Sequence, residues 1–277
     1  MRLIDFVFFG TDQFAVKVLE ELKAKNLRPS LVITTPDTPQ GRHLTLTPPP
    51  VKRWCKKNGI KYDQPEKLNA YQLPDNLIFV LVAAYGKILP ASLLNQLPNK
   101  FLNIHPSLLP RYRGPAPLQA AIINQDKETG VTIMVVDEAM DHGPIVTAKK
   151  IAVGQKWFEE LRDETAIIGA RLVAQILPDW LAGKLKPVDQ DHAAATYTKK
   201  IQKTDCEINF TDEPAVNFAK IRAYTPTPGA YFFTKKGNQS IRAIIKRAHL
   251  DEQGELVIDR IVPAGKKETD YKTFLKS

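Results

Sequence analysis

Leu77-Ile78-Phe79-Val80-Leu81-Val82-Ala83 is a run of seven apolar residues without a polar break. Such a run predicts a strand buried on both faces, as in a parallel sheet covered by helices. Working outward, Leu3 to Phe9 is an apolar run interrupted only by Asp5 and closed by Gly10. Apolar residues follow at helical spacing (Phe14, Val18, Leu19, Leu22), and then the short run Leu31-Val32-Ile33. This order reads as strand, helix, strand. Phe101 to His105 reads as the next strand, broken by Pro106. Val131 to Val136 and Ile145 to Ile151 are further β-rich segments around the turn Asp141-His142-Gly143-Pro144. Trp157, Leu161, Ile168, Leu172, Ile176 and Trp180 mark a long helix that stops near Gly183. The first part of the chain is therefore expected to be an open α/β sheet.

Residues 189–206 are polar and Ala-rich, and read as a linker between a larger domain (1–188) and a smaller one (207–277). In the smaller domain, Ala215 to Tyr224 reads as a helix. Ala230 to Phe233, Ile241 to Ile245 and Leu256 to Ile261 read as strands. The stretch from Pro36 to Pro50 holds five prolines and is long for a routine connection, which makes it a candidate functional loop.

With 277 residues, 43% hydrophobic and 25% charged, the chain is too apolar for disorder and long enough for two cores. Two cysteines, Cys55 and Cys206, supply neither a disulfide framework nor a thiolate metal site, and suit a reducing cytosol. Asp5 interrupts the N-terminal apolar run, and no stretch approaches the ~20 residues that span a bilayer, so no membrane association is expected. The net charge of +9 favours an anionic partner. From Pro214 to Leu250 there is no acid at all, whereas Lys220, Arg222, Lys235, Lys236, Arg242, Lys246 and Arg247 are basic, with Tyr224, Tyr231 and Phe232 interleaved. Clustered charge with aromatics suits a nucleic-acid backbone. A second basic cluster is Lys52, Arg53, Lys56 and Lys57.

The first β-α turn, Gly10-Thr11-Asp12-Gln13-Phe14, lacks the glycines a dinucleotide pyrophosphate requires, which argues against a nicotinamide enzyme. Asn103 and His105, two apart, project from one face at the carboxyl end of a buried strand, the edge at which open α/β sheets bind ligands. The turn at Asp141 can reach the same edge. An amide, an imidazole and a carboxylate suit acyl transfer to an amine: Asn103 donates to a developing oxyanion, His105 moves a proton, and Asp141 orients the ring. The same residues would equally serve as a strand end, a turn cap and an ordinary turn carboxylate.

The strings NIHPSLLPRYRGPAPLQAAI (103–122) and ETGVTIMVVDEAMDHGPI (128–145) resemble the core of the folate-dependent formyltransferases. That pattern is an Asn, a His two residues on, S-L-L-P, and a later Asp in a D-x-G-P turn. FFGTDQFAVKVLEEL, TPDTPQGR, TPPPVK, QPEKL and VLVAAYGKILP, with IRAYTPTPGAYF and PAGKKETDYKTFL near the C-terminus, extend the resemblance over nearly the whole chain. It points to those members that act on a charged initiator tRNA. It implies a Rossmann-like formyltransferase fold with a smaller, partial OB-like C-terminal domain. It also implies an enzyme that moves a formyl group from 10-formyltetrahydrofolate to the α-amine of methionyl-tRNA, without a metal and as a monomer.

By the resemblance, Asn103, His105 and Asp141 are catalytic. Val82, Ala83, Tyr85, Gly86, Lys87, Ile88 and Leu89, with Asp137 and Met140, form a folate pocket that binds mainly through backbone groups. Lys87 there faces either solvent or the donor's glutamate tail. Arg42, Ser107, Arg111, Arg113, Arg222, Lys235, Lys236, Lys246 and Arg247 contact the acceptor tRNA. Three departures from the pattern point to a reduced RNA platform: His43-Leu44-Thr45 stands where further lysines are usual, Thr227 where an aromatic is usual, and the C-terminal domain is short. Alternatives are N-formylation of a nucleotide-linked amino sugar, formyltetrahydrofolate hydrolysis, which calls for a regulatory domain before the first strand, and a non-catalytic RNA-binding module.

Overall fold

A computed structural model describes residues 5–40, 44–236 and 239–276. In chain order its elements begin with β1 (Phe6–Gly10), α1 (Gln13–Ala24), β2 (Leu31–Ile33), β3 (Thr38–Gln40), β4 (Thr45–Thr47), α2 (Pro50–Asn58) and β5 (Tyr62–Asp63). They continue with β6 (Phe79–Ala83), α3 (Ala91–Leu94), β7 (Phe101–His105), α4 (Pro117–Ile123), β8 (Glu128–Val135), β9 (Ile145–Ala152) and α5 (Phe158–Leu181). The last are α6 (Pro214–Tyr224), β10 (Tyr231–Lys236), β11 (Gln239–Leu250), β12 (Leu256–Pro263), β13 (Thr269–Asp270) and α7 (Tyr271–Lys276). The chain divides into two compact units: Met1–Pro115, Gly130–Ile151 and Arg162–Thr198 form the first, and Ala116–Thr129, Ala152–Leu161 and Lys199–Ser277 the second.

The first unit is built on a seven-stranded sheet in the order β5-β2-β1-β6-β7-β8-β9. Strands β1, β2, β5, β6 and β7 run parallel, and β8 is antiparallel to β7. Every residue of β1 and β6 is buried, which is why their sequences show no alternation. Asp12 caps α1 by accepting from the Ala15 amide, and α1 turns Phe14, Ala15, Val18, Leu19 and Leu22 inward. Helix α5 lies close on the sheet because Gly169 has no side chain: a Cβ there would collide with Cγ2 of Ile104, the residue between Asn103 and His105.

Two segments differ from the sequence reading. The Pro-rich stretch is not wholly irregular, since β3 and β4 pair antiparallel within it. Pro50 then starts α2, whose last turn carries Lys56 and Lys57 at the negative end of the helix dipole. Residues 190–198 do not cross freely. Arg113 N–H donates to the Thr196 carbonyl (2.8 Å), Thr198 N–H to the Arg113 carbonyl (2.7 Å) and Tyr112 N–H to Thr196 Oγ1 (2.8 Å). A polar, Ala-rich composition marks solvent exposure, and such a pairing leaves no trace in it.

In the second unit β10-β11-β12-β13 form an antiparallel sheet, and α6 packs on β11, β12 and α4. Ala219, Ile221 and Ala223 of the helix, with Phe232, Ala243, Ile245, Ile258 and Ile261 of the sheet, are buried. Among the described residues no helix is long and apolar enough to cross a membrane.

Candidate active site

The cluster forms where β7 ends. Asn103 pairs with Met134 and His105 with Thr132 of β8, so their side chains leave the same face of the sheet two residues apart. His105 is buried, and its Nε2 lies 2.9 Å from the Tyr112 carbonyl oxygen. A carbonyl only accepts, so Nε2 carries the hydrogen and Nδ1 is the nitrogen turned to the cleft. Nδ1 lies 3.5 Å from Asp141 Oδ1, and Asn103 Nδ2 donates to the same oxygen over 3.4 Å. Both contacts are long, so neither the amide hydrogen nor Nδ1 is fully engaged. The other carboxylate oxygen, Oδ2, accepts from the Gly114 N–H at 2.7 Å. The structure thus brings together the three residues singled out in the sequence.

The loop that follows His105 is held by its own polar groups. Ser107 Oγ donates to the Arg111 carbonyl (2.7 Å), and Thr132 Oγ1 donates to the Ser107 carbonyl (2.7 Å) while accepting from the Leu109 N–H (3.2 Å). Ser107 is fully buried, so it braces the loop and does not touch a macromolecular substrate. Arg111 is exposed, stacks on the Tyr112 ring at 4.8 Å and donates to its hydroxyl.

Arg113, read as an RNA contact, is 1% exposed and wholly engaged inside the protein. Arg222 is likewise buried: Nη1 donates to the Gly154 and Lys156 carbonyls (3.0 Å each), and burial lowers its pKa. A guanidinium enclosed in this way does not reach a phosphate. The remaining basic residues differ: Lys235 and Arg247 are exposed and Lys246 is half-buried. Arg42 and the Lys236 side chain lie outside the described residues. On the open face of the second unit's sheet, Lys235 and Phe233 stand opposite Ser240 and Arg242, and Arg242 lies 3.8 Å over the Tyr231 ring. An open cavity of about 540 Å³ beside them is lined by Glu207, Ile208, Asn209, Phe210, Phe232 and Phe233.

At the end of β6 and in the loop after it, Val82, Ala83, Tyr85 and Leu89 bury their side chains, whereas Gly86, Lys87 and Ile88 are exposed. Ala84 and Gly86 adopt left-handed backbone conformations that turn the chain along the sheet edge. Thr11 holds this segment, its N–H donating to the Ala84 carbonyl and its hydroxyl to the Tyr85 carbonyl. Lys87 Nζ donates to the Pro65 and Glu66 carbonyls at 3.4 and 3.1 Å. In the second loop Asp137 accepts from His142 Nδ1 at 2.6 Å, and Met140 is half-exposed. Among the described residues no three His, Cys, Asp or Glu side chains gather as metal ligands.

Residues 1–168 match the formyl transferase family, and residues 200–255 match the formyl transferase C-terminal domain. The chain belongs to the formyl transferase family. Among members of this family, methionyl-tRNA formyltransferase from Chloroflexus aurantiacus is 40% identical over 268 residues, spanning 95% of this chain and 84% of the relative. The same-named protein of Thermodesulfovibrio yellowstonii is 35% identical, with 97% and 94% of the two chains covered. Solved formyltransferases share the fold. The methionyl-tRNA formyltransferase of Clostridium thermocellum has a TM-score of 0.61 at 18% identity, over 94% of this chain and 99% of that one. WlaRD, a sugar 3N-formyl transferase solved in the presence of dTDP and 5-N-formyl-THF, has a TM-score of 0.65 at 18% identity, over 96% and 100%.

The sequence reading missed Thr132, Gln190 and the internal role of Arg113. Gln190 sits in a polar stretch without any local pattern, and only its partners distinguish it.

Proposed function

We propose that this enzyme transfers a formyl group from 10-formyltetrahydrofolate to the α-amine of methionyl-tRNA. The observation that carries this is the convergence of the Asn103 amide, His105 Nδ1 and the Asp141 carboxylate at the end of β7. Relatives named for that activity at 35–40% identity over nearly the full chain support the acceptor. The residues present suit a folate donor: the exposed backbone at Gly86–Ile88 offers donors and acceptors to a pterin edge, and the exposed apolar side chains of Ile88 and Met140 suit its aromatic parts. When bound, the donor supplies a formyl carbonyl activated on nitrogen.

Asn103 Nδ2–H donates to the carbonyl oxygen as it gains charge, an interaction worth ~10²–10³ in rate where such donors have been removed. His105 Nδ1 takes the proton that the amine sheds as its bond to the formyl carbon forms, and returns it to the nitrogen whose bond to that carbon breaks. Its Nε2–H bond to Tyr112 leaves only Nδ1 for this task. Asp141, anchored through Oδ2, keeps Oδ1 beside Nδ1 to balance the charge of the protonated ring. Lys235, Arg242 and Arg247, with the exposed ring of Phe233, support tRNA as the partner of the second unit.

The test is formyl transfer from one donor to charged initiator tRNA and to nucleotide-linked amino sugars, with Asn103→Ala, His105→Ala and Asp141→Ala alongside. Transfer to tRNA is expected, and each variant should lose at least ~10²-fold in kcat while staying folded. Activity on a sugar alone would move the protein to the amino-sugar class. Near-native turnover of a folded His105→Ala would remove the proton-transfer role.

A further inference from the structure

We infer that Arg113 and Gln190 are positioning residues that set the Asp141 carboxylate against His105, an inference that rests on the catalytic reading of Asp141. Asp141 has φ = 51°, a left-handed conformation costly for a residue with a Cβ, and it persists only where its surroundings impose it. Gln190 imposes it. Its Nε2 donates to the carbonyls of Asp141 (3.0 Å) and Gly143 (2.7 Å), gripping the turn on both sides of His142. Its Oε1 accepts from Arg113 Nε (3.2 Å) and Nη2 (2.7 Å). The orientation of this amide is not ambiguous: a guanidinium only donates and a carbonyl only accepts, so Oε1 must face Arg113 and Nε2 must face the turn.

Arg113 is itself immobilised. Its Nη2 donates to His192 Nδ1 (2.8 Å), its Nη1 to the Tyr197 hydroxyl (3.2 Å), and its backbone pairs with Thr196 and Thr198. The His192 ring stacks on His142 at 4.0 Å with the planes 1° apart, and His142 Nδ1 is tied to Asp137. The turn is therefore gripped through its carbonyls and through the ring at its centre. The next residue on from Arg113, Gly114, gives its N–H to Asp141 Oδ2. The carboxylate is thus held directly by the Gly114 amide, and the backbone that carries it by Gln190. Positioning matters here because Oδ1 lies 3.5 Å from His105 Nδ1 and 3.4 Å from Asn103 Nδ2, at the limit of useful contact, where a further displacement of ~1 Å can cost ~10² in rate.

Gln190→Glu separates positioning from mere support of Arg113, because it retains acceptors for the guanidinium and removes both donors to the turn. Gln190→Met, of similar volume, removes both functions. The expected result is a kcat at least ~10-fold lower in both variants, with KM for donor and for charged tRNA within about 2-fold of wild type. Hydrogen exchange at the Gly114 amide should also quicken in both. If Gln190 only held Arg113, Gln190→Glu would keep wild-type kcat and protection, and that outcome overturns the inference. Should Gln190→Glu fail to fold, Arg113→Lys, which keeps the charge and loses the fork, is read by the same two measurements. Asp141→Asn is assayed in parallel. Wild-type turnover in Asp141→Asn would overturn the catalytic reading itself, whereas loss there with full activity in the Gln190 variants would overturn only the positioning role.

Discussion

Arg222 and Lys235 look alike in the acid-free stretch from Pro214 to Leu250, yet replacing them should have opposite consequences. Arg222 is 4% exposed, its Nη1 makes two hydrogen bonds of 3.0 Å to the Gly154 and Lys156 carbonyls, and its guanidinium lies 5.2 Å over the Phe218 ring. Each bond from a charged donor is worth ~1.5–3 kcal/mol, and removing both leaves two carbonyls short of a partner. The desolvation cost of the buried cation disappears with it and offsets part of the loss. Arg222→Ala should therefore destabilise the protein by about 2–4 kcal/mol, and Arg222→Met, which keeps an apolar body over Phe218, by roughly half as much. Urea unfolding followed by tryptophan fluorescence reads this directly, since Trp157 packs edge-on against Phe218 at 6.3 Å. At a temperature where the variants remain folded, KM for charged tRNA should be unchanged. Lys235→Ala with Arg247→Ala should do the reverse, leaving the urea midpoint in place and raising KM. An Arg222→Ala protein with the wild-type midpoint and a several-fold higher KM for tRNA would refute the assignment of this side chain to the interior.

Tight binding of charged tRNA should weaken with salt, log K falling by about 0.9 for each duplex phosphate neutralised, and replacing Lys235, Lys246 and Arg247 together should flatten that slope. Gly143→Ala would drive a Cβ onto the Val135 carbonyl oxygen, so kcat should fall by ~10-fold or more as the Asp141 turn shifts, which steady-state kinetics would detect. Hydrogen bonds from Lys52 and Gln64 hold the Asp37 carboxyl below the usual carboxylate range. The stability this lends is present above the unfolded value of ~3.9 and is lost as pH falls through the folded one, so the gap in urea midpoint between wild type and Lys52→Ala should close on acidification below about pH 4. Burial pushes the Cys55 thiol up to about 12 and that of Cys206 to about 11, so both should resist iodoacetamide at pH 8 in the native protein and react on unfolding.

The sheet was legible because burial on both faces leaves a mark in local composition: β1 and β6 are unbroken apolar runs, and α1 and α5 repeat apolar residues at helical spacing. Asn103 and His105 were legible because strand geometry alone puts residues two apart on one face, and Asp141 because a distinctive motif names it. Short elements such as α3 and β5 were not, since four or two residues carry no period. What each arginine does was also beyond the sequence. Arg113 and Arg222 sit in basic, aromatic-rich stretches like those of surface residues, and their acceptors are Gln190, 77 positions away, and Gly154, 68 positions away. A charge is buried only when the fold delivers enough acceptors to one point, and that convergence exists only in three dimensions. Composition thus determined the layers, the strand edge and the chemistry available there, whereas tertiary packing decided which cations face solvent and which side chains hold Asp141 in place.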